Sequence, residues 1–177
     1  GASLFGDSKQ AVACESQIPD TAAMIGQLVE RAALVVQIEA KNKDGALKEL
    51  LAVAQAAGSF DAKIHKALAK RLSEREAIGS TGLGNSVAVP HVKGEDVEGV
   101  TLVLARSKAG LEWQAIDGRP VHIVFLLVSP ANDPETHLRC LRWISTLARS
   151  ADFRRFLLDA SDENAIRDLL REMAPKE

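Results

Sequence analysis

Arg75-Glu76-Ala77-Ile78-Gly79-Ser80-Thr81-Gly82-Leu83-Gly84-Asn85-Ser86-Val87-Ala88-Val89-Pro90-His91 is the stretch on which the reading of this chain turns. It leaves a helical pattern, crosses a loop of small residues and enters a short β-branched run that ends at Pro90. Gly79, Gly84 and Ser86 stand at the spacing of a G-x-x-x-x-G-K-[ST] nucleotide loop. Asn85, however, occupies the place of the phosphate-binding lysine. The context is also inverted, because a nucleotide loop joins strand to helix and this one joins helix to strand. An ATP site is therefore disfavoured. The plain reading is a tight connection that uses glycine dihedrals. A third reading keeps an anion. Small residues let backbone N–H groups come close to it, Ser80 and Thr81 add hydroxyl donors, and Asn85 closes the loop. The loop runs straight into His91, so the anion would be a phosphoryl group brought from elsewhere.

Around this stretch the chain alternates helical and strand patterns. Asp20 is placed to cap a helix with Ile25, Leu28, Val29 and Ala32 on one face. Leu34–Ile38 reads as a short strand. Asp44–Ala57 reads as a helix with Leu47, Leu50, Leu51 and Ala54 inward and Gly58 as its stop. A second helix spans Asp61–Arg75, with Ile64, Leu68 and Leu72 inward. Val87–Pro90, Val100–Ala105 and Val121–Val128 are strands. Asn132-Asp133-Pro134-Glu135 starts a helix that runs to Arg149, and two short helices over 152–159 and 162–173 follow. Such alternation implies a sheet covered by helices.

The composition narrows the function classes. The chain has 177 residues, 46% of them hydrophobic, which is enough for one ordinary domain core. A net charge of −2 argues against a nucleic-acid arm or a polybasic membrane patch, and 4% aromatics leave no base-stacking platform. Cys14 and Cys140 give no disulfide framework, so reduced thiols in a cytoplasm are expected. No apolar run suits direct membrane insertion, and no secretory signal pattern opens the chain. Cys-x-x-Cys, His-Glu-x-x-His and Gly-x-Ser-x-Gly are all absent, so neither a zinc site nor a serine hydrolase is expected.

Four histidines remain as candidates for chemistry. His65 sits among Lys63, Lys66 and Lys70 and reads as a solvated surface residue. His122 opens an apolar strand and reads as structural. His91 falls just past a strand, where α/β sheets present chemistry; by position alone a working and an idle loop residue are equally good readings. His137 lies in the first turn of the helix capped by Asp133 and shares a face with Leu141, Ile144 and Ala148. A helix N-terminus favours neutral imidazole and attracts phosphate. A merely packed or capping histidine is the competing reading.

Taken whole, residues 75–91 resemble the phosphorylation-site signature of enzyme IIA domains. These belong to the bacterial phosphoenolpyruvate-dependent phosphotransferase system, in its mannitol, fructose and nitrogen-regulatory class. Asp117-Gly118-Arg119-Pro120-Val121, Thr136-His137-Leu138 and Ala40-Lys41-Asn42-Lys43-Asp44 are similar to that family too. The resemblance implies a single-domain α/β fold, a mixed β-sheet flanked by helices on both sides, over residues 34–177. Residues 1–33 would be an N-terminal extension or linker containing a helix. It implies a phosphotransferase that works through a phosphohistidine, with no cofactor and no metal. His91 would accept a phosphoryl group from a small histidine-containing phosphocarrier protein and pass it to a sugar-transport component. Alternatively, its phosphorylation would govern binding to a regulated transporter or other partner. His137 would be the second active-site histidine, and Arg75 would stabilise the phosphoryl group with its permanent planar charge. Val92 stands where the family often has a small residue, and is expected to alter partner docking.

Overall fold

A computed structural model describes residues 18–58 and 60–176. Residues 1 to about 20 read as a weakly structured segment; 1–17, with Cys14, lie outside the described residues, and 18–20 instead open a helix. Those described form six helices and six strands: α1 (Ile18–Arg31), β1 (Ala33–Val35), α2 (Lys43–Ala56), α3 (Ala62–Ile78), β2 (Gly82–Gly84), β3 (Val87–Ala88), β4 (His91–Gly94), β5 (Thr101–Leu111), β6 (Val121–Pro130), α4 (Pro134–Arg149), α5 (Ala151–Asp159) and α6 (Glu163–Met173).

The strands form one mixed sheet in the order β1-β5-β6-β3-β2, with β4 also paired to β6. Alternation along the central strands feeds two cores. Ile123, Phe125 and Leu127 of β6, with Leu102 and Leu104 of β5, pack against α1, α4, α5 and α6. Val124, Leu126 and Val128, with Val103 and Ala105, pack against α2 and α3. The sheet is thus covered on both faces, as expected for this class. Helix α1 belongs to the first of these cores through Ile25, Leu28 and Val29. Arg167 of α6 holds its end by donating to the carbonyls of Val29, Glu30 and Ala32.

Several boundaries differ from the sequence expectation, each for a local reason. Helix α1 begins at Ile18, so Asp20 lies inside it; Pro19 suits a first helical turn. Strand β1 stops at Val35, and beyond it Arg106 intervenes, donating from Nε to Val36 O and accepting from Ile38 N. Helix α3 continues past Arg75 because Glu76 extends the inward row of Leu68 and Leu72 as a buried carboxylate. Strand β5 runs on to Leu111 through an irregularity after Arg106, where Gly110 has φ +84°. The apolar period ends at Ala105, so the extension has no hydrophobic signal.

The glycine loop proves to be a hairpin. Strands β2 and β3 pair antiparallel, and Asn85 and Ser86 turn between them at φ +56° and +67°. Two central residues with positive φ match the twist of the flanking strands. Gly82 has to be glycine, since a Cβ there would lie 2.8 Å from that of Ala115.

Candidate functional site

His91 is the first residue of β4, not a loop residue. The correction comes from Pro90. Val87 pairs with Ile123 and His91 with Leu127, so β3 and β4 follow β6 in one unbroken register. Proline has no N–H to give the ladder, and the strand is formally interrupted there. Pro90 O still accepts from Leu127 N at 3.1 Å.

Alternation then sets the neighbours. Val87, Val89 and His91 lie on the α4 side of the sheet, and Val92 and Gly94 on the α3 side. Val92 is 6% exposed in the core beneath α3. It is therefore not on the surface a partner would meet, contrary to the expectation from its bulk.

The structure brings His91 and His137 together, with ring centroids 5.5 Å apart and planes inclined by 55°. Asp133 caps α4 by accepting from Thr136 N, which places His137 in the first turn, over the ends of β4 and β6. The His91 ring is half-buried, with Nδ1 2.8 Å from Val89 O. A carbonyl oxygen can only accept, so Nδ1 carries a proton. The neutral ring then has its lone pair on Nε2.

His137 is 5% exposed, and its Nδ1 lies 2.7 Å from the Ser129 hydroxyl. Burial first, then the charges of His91 and Lys93, lower its pKa from 6.5 to about 4. Two residues absent from the sequence reading therefore belong here. Lys93 shares the His91 side of β4, and its register partner on β6 is Ser129. Period-two alternation from Ile123 was the available signal for Ser129.

The pKa of His137 has a consequence for stability. The unfolded ring binds a proton below 6.5 and the folded ring only below about 4, so unfolding gains a proton between these values. Stability therefore falls as pH drops through that window, by about 3 kcal/mol for a shift of this size. Melting curves from pH 7 to pH 4 should show a steeper decline for the wild type than for His137→Gln. Parallel declines would rule out His137 as the source.

The remaining predicted residues are placed differently. Arg75 donates from Nη1 to Gly79 O at 2.9 Å, at the end of its own helix. The Ser80 hydroxyl donates to Trp113 O at 2.6 Å and accepts from Gly82 N at 3.0 Å. Thr81 is buried, with its hydroxyl donating to Glu76 and its N–H reaching the same carboxylate at 3.2 Å. Glu76 also pairs with Lys43 at 2.7 Å, and Lys43 Nζ lies 5.4 Å from the centroid of the Trp113 ring. Asn85 donates its N–H to Asp117 Oδ2 at 3.1 Å, which ties the hairpin turn to the 115–118 turn.

Outside this site, His122 donates from Nδ1 to Ser107 O at 2.9 Å, a structural bond. His65 is half-buried beside Phe60, with Nδ1 unpartnered, rather than fully solvated. No group of three potential metal ligands occurs among the described residues.

A family model described as "Phosphoenolpyruvate-dependent sugar phosphotransferase system, EIIA 2" matches residues 27–173. The chain belongs to this family of phosphoryl carriers. It is 32% identical over 148 residues to the PTS system fructose-specific EIIABC component of Bacillus subtilis, covering 84% of this chain but 23% of that protein. It is also 32% identical over 146 residues to the nitrogen regulatory protein of Bradyrhizobium diazoefficiens, covering 82% of this chain and 94% of that one. Among solved structures, the nitrogen regulatory protein IIA-Ntr of Neisseria meningitidis superposes with a TM-score of 0.71 at 28% identity, covering 82% of this chain and 98% of its own. No helix among the described residues is long and apolar enough to cross a membrane.

Proposed function

We propose that His91 Nε2 accepts a phosphoryl group from the phosphohistidine of a small carrier protein and delivers it to a sugar-transport component in the cytoplasm. The observation that carries this reading is the fixed His91 ring, with Nδ1 engaged by Val89 O and Nε2 left as the nucleophile. In the transfer, the P–N bond of the donor breaks and its electron pair returns to the donor ring. A new P–N bond forms at His91 Nε2. Such a step needs positioning and charge stabilisation, and no metal or nucleotide. His137 supplies a neutral ring beside the phosphoryl oxygens.

Arg75 has donors beyond the one held by Gly79 O, and on this reading they meet the phosphoryl group. Ser80, Thr81 and Asn85 contribute by holding the hairpin in shape, since their recorded bonds stay within the fold. The working unit takes in α1, whose Ile25, Leu28 and Val29 sit in the core. Ile78, Leu83, Ile116 and Leu138 are exposed apolar residues on segments that carry or flank the two histidines. A protein partner would dock on them.

The test is incubation with phosphoenolpyruvate, enzyme I and the phosphocarrier protein, followed by intact mass. One added phosphoryl group is expected. No gain under conditions that label a control enzyme IIA would refute the proposal.

A second reading has its own support. The chain is as similar to a nitrogen regulatory protein as to the fructose component, at 32% identity in each case. On that reading phosphorylated His91 governs binding to a regulated partner. A neighbouring permease gene would favour transport; capture of a partner by only one phosphorylation state would favour regulation.

A further inference from the structure

Ser129 is a polar residue in a row of apolar ones. Ile123, Phe125 and Leu127 precede it on the α4 face of β6, and it is fully buried. Its hydroxyl lies 2.7 Å from His137 Nδ1, and it has no other hydrogen-bond partner among the described residues. A buried hydroxyl has one proton to place, and leaving it without an acceptor is costly. The lone pair of His137 Nδ1 is the acceptor within reach. If Nδ1 were protonated instead, it would donate to Oγ, and the hydroxyl proton would be stranded in the core.

We infer that Ser129 is a positioning residue whose O–H donates to His137 Nδ1 and so holds the proton of His137 on Nε2. The depressed pKa of His137 fits this, because a ring neutral at pH 7 must choose one tautomer. The choice matters for the chemistry proposed above, on which the functional half of this inference rests. An Nε2–H group gives the phosphoryl oxygens on His91 a hydrogen-bond donor. The opposite tautomer presents a lone pair to the same oxygens and repels them. No bond to His137 forms or breaks; its ring supplies a donor, and Ser129 sets which nitrogen carries it. This second layer of hydrogen bonding commonly fixes histidine orientation and tautomer at working sites.

The experiment reads the tautomer directly. Long-range ¹H–¹⁵N correlation spectra of the unphosphorylated ¹⁵N-labelled chain should show His137 protonated at Nε2. In Ser129→Ala the population should move toward Nδ1–H, and phosphoryl acceptance from the carrier should slow about tenfold. Ser129→Thr, which keeps the hydroxyl, should restore both. A wild-type spectrum with the proton on Nδ1 overturns the inference, and so does a folded Ser129→Ala protein with the tautomer unchanged. If Ser129→Ala fails to fold, the wild-type spectrum alone decides. If the wild type shows Nε2–H but never becomes phosphorylated, the tautomer assignment stands and the acceptor reading of His91 falls.

Discussion

His91→Ala is expected to abolish the mass gain of one phosphoryl group while leaving the fold intact. The loss should be at least on the order of a thousandfold, because on the proposed mechanism the side chain removed is the nucleophile. No other ring can replace it: His65 is on α3, which covers the other face of the sheet. His137 is buried, with Nδ1 bonded to Ser129. His122 lies at the opposite end of β6 from Leu127, the register partner of His91, and its Nδ1 is committed to Ser107 O. His91 is half-buried at the end of a short strand, so its truncation should move the melting temperature little. His91→Gln provides the second variant. Phosphoryl transfer to either protein at the wild-type rate would remove His91 from the mechanism.

The largest expected loss of stability is at Glu76. Its side chain is 4% exposed, pairs with Lys43 at 2.7 Å, and accepts from both the N–H and the hydroxyl of Thr81. Glu76→Ala would leave Lys43 without its acid and two Thr81 donors without an acceptor, beside a new cavity. Breaking a buried pair from one side typically costs roughly 3–5 kcal/mol. In a domain of this size that corresponds to a drop in melting temperature on the order of 10 °C. Glu76→Gln keeps an oxygen for Thr81 but not the charge for Lys43, and should fall between alanine and wild type. Urea unfolding that shows a loss below about 1 kcal/mol for Glu76→Ala would mean that the pair holds little.

Much of the fold was legible because hydrophobic periodicity reports burial directly. Leu47, Leu50, Leu51 and Ala54 mark the inner face of α2, and the cap Asp133 stands where the pattern places it. Features that depend on polar groups finding partners across the fold were hidden. The end of β1 depends on Arg106, which lies far along the chain. The first arm of the hairpin, over 82–84, carries no strand signal, and Asn85 and Ser86 lack the Asn-Gly sequence that usually announces such a turn. In the candidate site, the helix period gave His137 its inward lean, but nothing local put it beside His91. Ser129 has no apolar signal of its own, since the hydrophobic run closes at Val128; one more residue on the same alternation puts it under α4.

The buried carboxylate of Glu76 also reaches the His91 ring by a route other than stability. Thr81 lies opposite Val89 in the hairpin register, and Val89 N donates to Thr81 O. In an ordinary narrow antiparallel pair Thr81 N would return the bond to Val89 O. Glu76 diverts that N–H to itself. The carbonyl thus left over is the one His91 Nδ1 engages. The ladder bond that Glu76 withholds just before β2 thus leaves Val89 O to His91 Nδ1, and the lone pair of that ring to Nε2.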